Sequence, residues 1–245
     1  MTTTTAYVLA GGLGTRLRPL VSDRPKPMAM VAGRPFLEHL LGYWIGQGVS
    51  KFVLCLGHLA DVTKEHFGQN YLGASILYSM ESEPQGTGGA LAIALENYPP
   101  DGRFLVLNGD SFFKVPLPSL EQMMVDHSAT WVTSLFASSD VRRYGGVQLG
   151  SDDALLKKDD RAPSQTTDAS PNLWVNGGVW LGNLSKPKVT LTSLAPPYSL
   201  EEYLEVVREK GLGEVFGLRS SAVFIDIGVP TDYRRAQNMS DFTKG

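Results

Sequence analysis

A glycine-rich loop near the start of the chain contains the first residues suited to chemistry. It follows the apolar run 6–10, which predicts a buried strand. Glycines let a backbone approach a phosphate with its N–H groups turned inward, and a guanidinium adds a planar fork of donors. The pattern favours a phosphate-binding turn, although a structural tight turn has the same glycines. The loop comprises Leu9, Ala10, Gly11, Gly12, Leu13, Gly14, Thr15, Arg16 and Leu17.

A lysine between two prolines follows this loop, in Arg24-Pro25-Lys26-Pro27-Met28. The two prolines stiffen the backbone and fix the direction of Lys26. A lone lysine is more often a solvated surface group. Its position just after a phosphate loop indicates instead that Lys26 neutralises charge that develops on a triphosphate.

Two acidic residues end apolar runs that lie far apart in the sequence. Asp110 closes Asn108-Gly109-Asp110, and Asp226 follows a second apolar run, 223–225. A carboxylate at the carboxyl end of a parallel strand faces the usual ligand crevice. Mg²⁺ prefers a few carboxylates together with phosphate oxygens. The residues alone leave two interpretations open: both acids converge on one Mg²⁺, or each caps a turn.

Three further segments combine glycine with polar side chains. Gln85, Gly86 and Thr87 precede a predicted helix, where simple helix capping is the alternative. Asn176 and Gly177 lie in 174–179, and the asparagine amide can both donate to and accept from hydroxyl groups. The alternative for Asn176 is a turn residue at a bulge. Gly145, in Arg143-Tyr144-Gly145, is compatible with an ordinary turn.

Strand and helix signals alternate through the first half of the chain and must position these segments. Repeated βαβ units predict an α/β, Rossmann-like fold with a mostly parallel central sheet and helices on both faces. Residues 151–171 are polar and predict a loop. The predicted strands are 6–10, 51–56, 75–79, 104–107, 130–136, 174–181 and 223–225, and the predicted helices are 36–44, 60–67, 87–95, 200–210 and 231–239.

The composition limits the class of partner. The 245 residues carry a net charge of −3 without a basic block, so no nucleic-acid partner is expected. No apolar run approaches the ~20 residues of a membrane span, and the N-terminus lacks signal-peptide features. The single cysteine, Cys55, lies in an apolar run and favours a reducing compartment. We therefore expect a cytoplasmic protein without a membrane partner. The four scattered histidines have no ligand spacing, and we expect no role for them.

The run 9–28 resembles the signature of the sugar nucleotidyltransferases, also called nucleoside-diphosphate-sugar pyrophosphorylases. That signature is a glycine-rich loop, Thr-Arg, a short spacer and Pro-Lys-Pro, and the resemblance extends over 6–233. It implies that a nucleoside triphosphate is joined to a sugar 1-phosphate with release of pyrophosphate. It also implies one domain, 1–245, with a nucleotide-binding half, 1–110, and a sugar-phosphate-binding half, 111–245. We expect no left-handed β-helix domain of the kind found in longer members.

The resemblance assigns roles to the segments. Arg16 and Lys26 match catalytic residues, and Asp110 and Asp226 match the aspartates that bind the metal. Sugar contacts fall on Gly145, Lys158, Asn176 and Gly177. In one departure, Lys157-Lys158 stands where many relatives have Glu-Lys, which removes an acidic partner near the sugar. The nucleotide contacts fall on Leu9, Ala10, Gly11, Gly12, Gly14, Thr15, Gln85, Gly86, Thr87, Asn108 and Gly109.

Among short members, the chain most resembles those that join GTP to D-glycero-α-D-manno-heptose 1-phosphate for a bacterial surface polysaccharide. The segments 21–28, 109–113, 143–145 and 224–230 carry this likeness. Mannose 1-phosphate with GTP, or another hexose 1-phosphate with UTP or CTP, remains an alternative. A non-catalytic sensor of sugar nucleotides is a second alternative, which the intact charged residues disfavour. The sequence leaves a homo-oligomer open.

Overall fold

The apolar runs of the chain form a central sheet whose carboxyl-terminal edge carries most of the predicted site. The computed structural model describes residues 4–12, 14–17, 19–138, 146–155, 173–184 and 194–243. Gly145, Lys157 and Lys158 lie outside the described residues. Among the described helices, none has the length and apolar character needed to cross a membrane.

The strands and helices are short and alternate along the first half of the chain. The strands are β1 (Thr5–Leu9), β2 (Met30–Val31), β3 (Arg34–Pro35), β4 (Lys51–Leu56), β5 (Asn70–Tyr71), β6 (Ala74–Met80), β7 (Arg103–Asn108), β8 (Ser111–Phe113), β9 (Trp131–Ser138), β10 (Gly146–Val147), β11 (Leu173–Asn183), β12 (Val215–Ser220) and β13 (Phe224–Asp226). The helices are α1 (Phe36–Ile45), α2 (Ala60–Phe67), α3 (Gly86–Asn97), α4 (Leu117–Asp126), α5 (Leu200–Glu209), α6 (Pro230–Ala236) and α7 (Ser240–Thr243), with a 3-10 turn at Lys26–Met28.

The central sheet is mixed, but the strands from the first half of the chain pair mostly in parallel. Its strand order is β12-β9-β11-β7-β1-β4-β6-β5, with β10 paired to β11. β1 pairs in parallel with both β4 and β7, and β4 pairs in parallel with β6. β11 runs antiparallel to both its neighbours, β7 and β9. The predicted Rossmann-like α/β fold is confirmed, and the sheet contains strands from both predicted halves.

Helices cover both faces of this sheet because its strands are apolar on both sides. Along β1, Ala6 and Val8 belong to one buried cluster and Tyr7 to the other. The first cluster includes Trp44 of α1, and the second includes Tyr203 of α5. Each large apolar side chain that is fully buried stabilises the fold by about 1.5–3 kcal/mol. The two clusters therefore hold the sheet rigidly beneath its carboxyl-terminal edge.

Several elements are absent from the predicted set, and one prediction needs correction. The sequence analysis did not anticipate β2, β3, β5, β8, β10, β12, α4 or α7. Proline at the start of α4 suits the first turn of a helix but weakened the helical pattern. A glycine inside β12 weakened its strand pattern.

Asp226 ends β13, which pairs antiparallel with β8 in a separate two-stranded sheet. It therefore does not follow a parallel strand of the central sheet. Asp110 does, because it lies two residues after Asn108, the last residue of β7.

Candidate active site

A cavity of about 380 Å³ opens at the carboxyl ends of β1 and β7. This volume is in the range of small-molecule sites, and such a crevice is where open α/β sheets bind ligands. Two segments that are distant in sequence close its sides, the loop after β1 and the start of α3. The cavity is lined by Leu9, Ala10, Gly11, Gly12, Gly14, Thr15, Arg16, Lys26, Pro27, Cys55, Glu81, Pro84, Gly86, Thr87, Ala90, Asn108, Asp110 and Gly228.

The glycine-rich loop is anchored at both ends and exposed in the middle. The Ala10 N–H donates to the Cys55 carbonyl at 2.9 Å, which continues the pairing of β1 with β4. Leu17 is buried at the far end, and its N–H donates to the Gly14 carbonyl at 3.0 Å. The Arg16 side chain between these anchors is exposed and lines the cavity. The loop thus presents backbone and guanidinium donors to one open space.

Lys26 points into the cavity from the 3-10 turn, between buried Pro25 and Pro27. Its ammonium lies 2.5 Å from Asp110 Oδ2 and 3.8 Å from Asp226 Oδ1. The exposed fraction of the side chain is 10% for Lys26, 37% for Asp110 and 16% for Asp226. The two buried prolines therefore hold a cation against a pair of partly buried carboxylates.

Pairing of β8 with β13 brings the two aspartates together. Ser111 lies opposite Asp226 in that pair, and the Ile227 N–H donates to the Asp110 carbonyl at 3.0 Å. Asp226 Oδ1 accepts a hydrogen bond from the Gly228 N–H at 2.6 Å, which orients the carboxylate. The two acids thus converge on one ammonium from opposite ends of the sequence. Metal binding by them stays a prediction.

The donor set fits a magnesium ion that is shared with a substrate. Within the described ranges, no group of three or more His, Cys, Asp or Glu side chains is arranged to hold a metal. Mg²⁺ in phosphate-transfer sites is held by one or two carboxylates, with substrate phosphates and water completing its oxygen ligands. Asp110 and Asp226 provide two such carboxylates at the cavity that the glycine-rich loop also lines.

The start of α3 forms the opposite wall, with one departure from expectation. Gly86 and Thr87 line the cavity, whereas the Gln85 side chain donates to the Glu83 carbonyl at 3.1 Å and is not among the lining residues. Gly86 has φ +75°, and a β-carbon there would overlap the backbone of Tyr198. Glycine is required here both for the backbone angle and for this close approach.

Glu81 lies in the cavity wall, and the sequence analysis missed it. It follows β6 directly, and its Oε2 accepts a hydrogen bond from the Gln85 N–H at 2.9 Å. A β-carbon on Gly11 would lie 2.5 Å from Glu81 Oε1, so the glycine loop leaves room for the carboxylate. Burial raises the pKa of this carboxyl. The available signal was an acid directly after an apolar strand, the same pattern that identified Asp226.

Asn176 and Gly177 lie on β11 and are not among the residues that line the cavity. Asn176 Nδ2 donates to Glu201 Oε1 at 2.9 Å, and Asn176 Oδ1 accepts from the Gly178 N–H at 2.9 Å. The register of β11 against β9 shifts just after Asn176, so the residue does lie at a bulge. Gly177 is buried beside the Phe113 ring. Their contact with a sugar stays a prediction.

Curated relatives match nearly the whole chain. It is 35% identical to a D-glycero-alpha-D-manno-heptose 1-phosphate guanylyltransferase from Aneurinibacillus thermoaerophilus, over 95% of this chain and 96% of that protein. It is 34% identical to the enzyme of the same name from Campylobacter jejuni subsp. jejuni, over 93% and 96% of the two chains.

A solved structure and a family model also match the chain. The crystal structure of HddC from Yersinia pseudotuberculosis complexed with GMP-PN superposes with a TM-score of 0.76 at 28% identity, covering 96% of this chain and 98% of that one. The Nucleotidyl transferase family model matches residues 5–167, which include the glycine loop, Lys26, Glu81 and Asp110. With these matches and the fold described above, the chain belongs to the nucleotidyl transferase family.

Proposed function

We propose that this chain joins the guanylyl group of GTP to D-glycero-α-D-manno-heptose 1-phosphate, forming GDP-D-glycero-α-D-manno-heptose and pyrophosphate. Relatives that bear this activity in their names match at 34–35% identity over nearly their full lengths, which supports both substrates. The 380 Å³ cavity beside the phosphate loop supports a nucleotide as one of them.

The structural observation that favours guanine is the carboxylate of Glu81 in the cavity wall. An ionised carboxylate only accepts hydrogen bonds. Guanine presents two adjacent donors, its ring N1–H and its exocyclic amine. Uracil offers one N–H between two carbonyl oxygens, and adenine and cytosine present an unprotonated ring nitrogen. With any other base, either the Glu81 carboxylate or polar groups of the base would be left unpaired. The carboxylate therefore selects for guanine.

The reaction needs no covalent intermediate with the protein. A phosphate oxygen of the sugar 1-phosphate attacks the α-phosphorus of GTP in line and forms the new O–P bond. The bond from the α-phosphorus to the bridging oxygen breaks, and its electron pair leaves with pyrophosphate. The protein must align two polyanions and stabilise the charge that develops between them. We assign phosphate binding to the glycine loop and Arg16, and charge stabilisation to Lys26.

Asp110 and Asp226 would hold a Mg²⁺ ion, as the donor set allows. When bound, the ion neutralises charge on the phosphate oxygens during transfer. The remaining nucleotide contacts that we propose are the backbone at Leu9, Ala10, Asn108 and Gly109, together with Gly86 and Thr87. Gln85 would contact the nucleotide only through its backbone or after its side chain leaves Glu83.

The sugar 1-phosphate would lie toward β11, in the half of the chain that follows residue 110. We propose Asn176 as a contact to its hydroxyl groups, with Gly145, Lys158 and Gly177 as further contacts. We also propose that the reaction takes place in the cytoplasm, as a single cysteine without a disulfide partner favours. The product would supply the synthesis of a surface polysaccharide.

A substrate panel tests this proposal directly. Pyrophosphate release is measured for heptose 1-phosphate, mannose 1-phosphate and glucose 1-phosphate, each with GTP, ATP, CTP and UTP. We expect the highest kcat/KM for GTP with the heptose. A different preferred nucleotide would refute guanine selection, and a mannose phosphate that equals the heptose would refute the sugar assignment. Binding without any pyrophosphate release would identify a non-catalytic sensor.

Glu81→Gln is the matched variant for the nucleotide. A glutamine amide presents one acceptor and one donor, a pattern that fits the N–H and carbonyl of uracil better than the two donors of guanine. We expect kcat/KM to fall for GTP and to rise for UTP relative to GTP. An unchanged ratio would show that Glu81 does not contact the base.

A further inference from the structure

A row of hydrogen bonds joins the start of α3, in the nucleotide cavity, to the segment that begins α5. The Tyr198 N–H donates to the Gln85 carbonyl at 3.1 Å, and the Gly88 N–H donates to the Tyr198 carbonyl at 3.0 Å. Contact is close enough that a β-carbon on Gly86 or Gly88 would overlap Tyr198. The nucleotide wall and the start of α5 therefore move as one unit.

The third bond in this row uses a side chain. The Leu200 N–H donates to Thr87 Oγ1 at 2.9 Å. Leu200 is the first residue of α5, and the first N–H groups of a helix have no partner inside it. The capping box of Ser199 and Glu202 satisfies two backbone N–H groups at this terminus, but not that of Leu200. The Thr87 hydroxyl, from another part of the chain, accepts the hydrogen bond of the Leu200 N–H. Thr87 also lines the nucleotide cavity.

The next residue of α5 reaches toward β11. Glu201 Oε1 accepts the hydrogen bond from Asn176 Nδ2 at 2.9 Å. The amide oxygen of Asn176 is bonded in turn to the Gly178 N–H at 2.9 Å and to the Thr133 hydroxyl at 3.3 Å. Glu201 and the backbone thus fix both ends of the Asn176 amide. The orientation of that amide depends on where the first turn of α5 lies.

We propose that Thr87 is a positioning residue for the sugar 1-phosphate. Its hydroxyl fixes the first turn of α5, that turn places Glu201, and Glu201 orients the Asn176 amide. The nucleotide wall and the sugar contact are thereby coupled through one short path. This inference rests on the proposed function, in which Asn176 contacts the sugar.

Thr87→Val tests the path, because valine keeps the shape of threonine and removes the acceptor. We expect KM for the sugar 1-phosphate to rise about fivefold, the effect of one lost hydrogen bond, and to rise by a larger factor than the Kd for GTP measured alone. Thr87→Ser, which keeps the hydroxyl, should restore the wild-type KM. Thr231→Val, the same change at an exposed position of α6, is the control.

A double-mutant cycle separates this path from a general loss of packing. In an Asn176→Ala background, Thr87→Val should raise KM for the sugar 1-phosphate little further, since residues that act through one another are not additive. Glu201→Ala, at an exposed helix position, should reproduce the effect and keeps the test open if Thr87→Val does not fold. The proposal is wrong if Thr87→Val weakens only GTP binding. It is also wrong if Thr87→Val and Asn176→Ala act additively on KM for the sugar 1-phosphate.

The cycle is run with whichever sugar 1-phosphate the wild-type protein prefers. Rejection of the heptose would therefore overturn the substrate assignment and leave the coupling test intact. If no pair is turned over, the same variants are compared by equilibrium binding of the sugar 1-phosphate in the presence of a non-hydrolysable GTP analogue. Equal affinities in wild type and Thr87→Val would then overturn the coupling.

Discussion

The Lys26 ammonium lies 2.5 Å from the Asp110 carboxylate, although the two residues come from different loops. Asp226 approaches the same ammonium from a third segment at 3.8 Å. The lysine is the shielded partner, with 10% of its side chain exposed, so removing either acid leaves this cation with less compensating charge. The three side chains therefore act as one electrostatic unit, and each substitution must be interpreted with its effect on the other two.

Asp110→Asn and Asp226→Asn should each give a folded protein with little activity. Either change removes a proposed metal contact and one negative charge beside Lys26, and losses of this kind amount to several kcal/mol at the transition state. We expect kcat/KM to fall at least about a hundredfold. Pyrophosphate release at saturating Mg²⁺ measures this, with a melting curve as the control for folding. Turnover near the wild-type rate in either variant would exclude that aspartate as a metal ligand.

Lys26→Ala should lower turnover more than it weakens nucleotide binding. The buried prolines hold Lys26 where charge grows during transfer, so its contribution should be larger in the transition state than in the ground state. The test compares kcat with the Kd for GTP. An unchanged kcat with a raised KM would mean that Lys26 binds both states equally.

Lys26→Met should tighten binding of a divalent metal to the protein without nucleotide. The ammonium lies against the two carboxylates that would hold the metal, so a bound cation must compete with it. Removing the lysine leaves both carboxylates without that counter-charge. Mn²⁺ titration followed by electron paramagnetic resonance measures the affinity, and Lys210→Met, at the exposed end of α5, is the control. Equal or weaker Mn²⁺ binding in Lys26→Met would contradict the competition.

As the pH is lowered, kcat/KM for GTP should begin to fall at a higher pH than it would if Glu81 had the pKa of an ordinary glutamate. Burial raises the pKa of Glu81 above its ordinary 4.5. As pH falls through that raised value, the carboxyl becomes protonated and can no longer accept from both guanine donors. The relevant measurement is kcat/KM for GTP against pH, because this ratio reports the free enzyme. Glu81→Gln cannot titrate, so its profile should lack this decline; superimposable profiles would assign the titration to another group.

Gly86→Ala should destabilise the protein by about 2 kcal/mol, since it combines a positive φ with overlap at Tyr198. Gly42→Ala is the matched control. Gly42 lies inside α1 with open space at its β-carbon, and alanine there should stabilise the helix by about 0.5–1 kcal/mol. Urea denaturation compares the three proteins. Equal midpoints for wild type and Gly86→Ala would show that Tyr198 yields without strain.

Prediction from the sequence succeeded where local pattern decides the structure. Short apolar runs predicted β1, β4 and β7, because a buried parallel strand needs apolar residues on both faces. The two prolines around Lys26 indicated a fixed direction for its side chain, and Lys26 lines the cavity in the structure. These features depend on steric limits of the backbone, which act over a few residues and are visible in the sequence itself.

Tertiary structure decided how the side chains of the site meet. The pairing of β8 with β13, which no local pattern indicates, brings Asp226 to Lys26 and Asp110. Contact with Tyr198 sets the start of α3, so that Glu81 lines the cavity while the Gln85 side chain turns back to Glu83. Both outcomes depend on contacts between segments far apart in the chain. Residue types and spacing determined the chemistry available to this protein, and packing over long range determined which groups can perform it together.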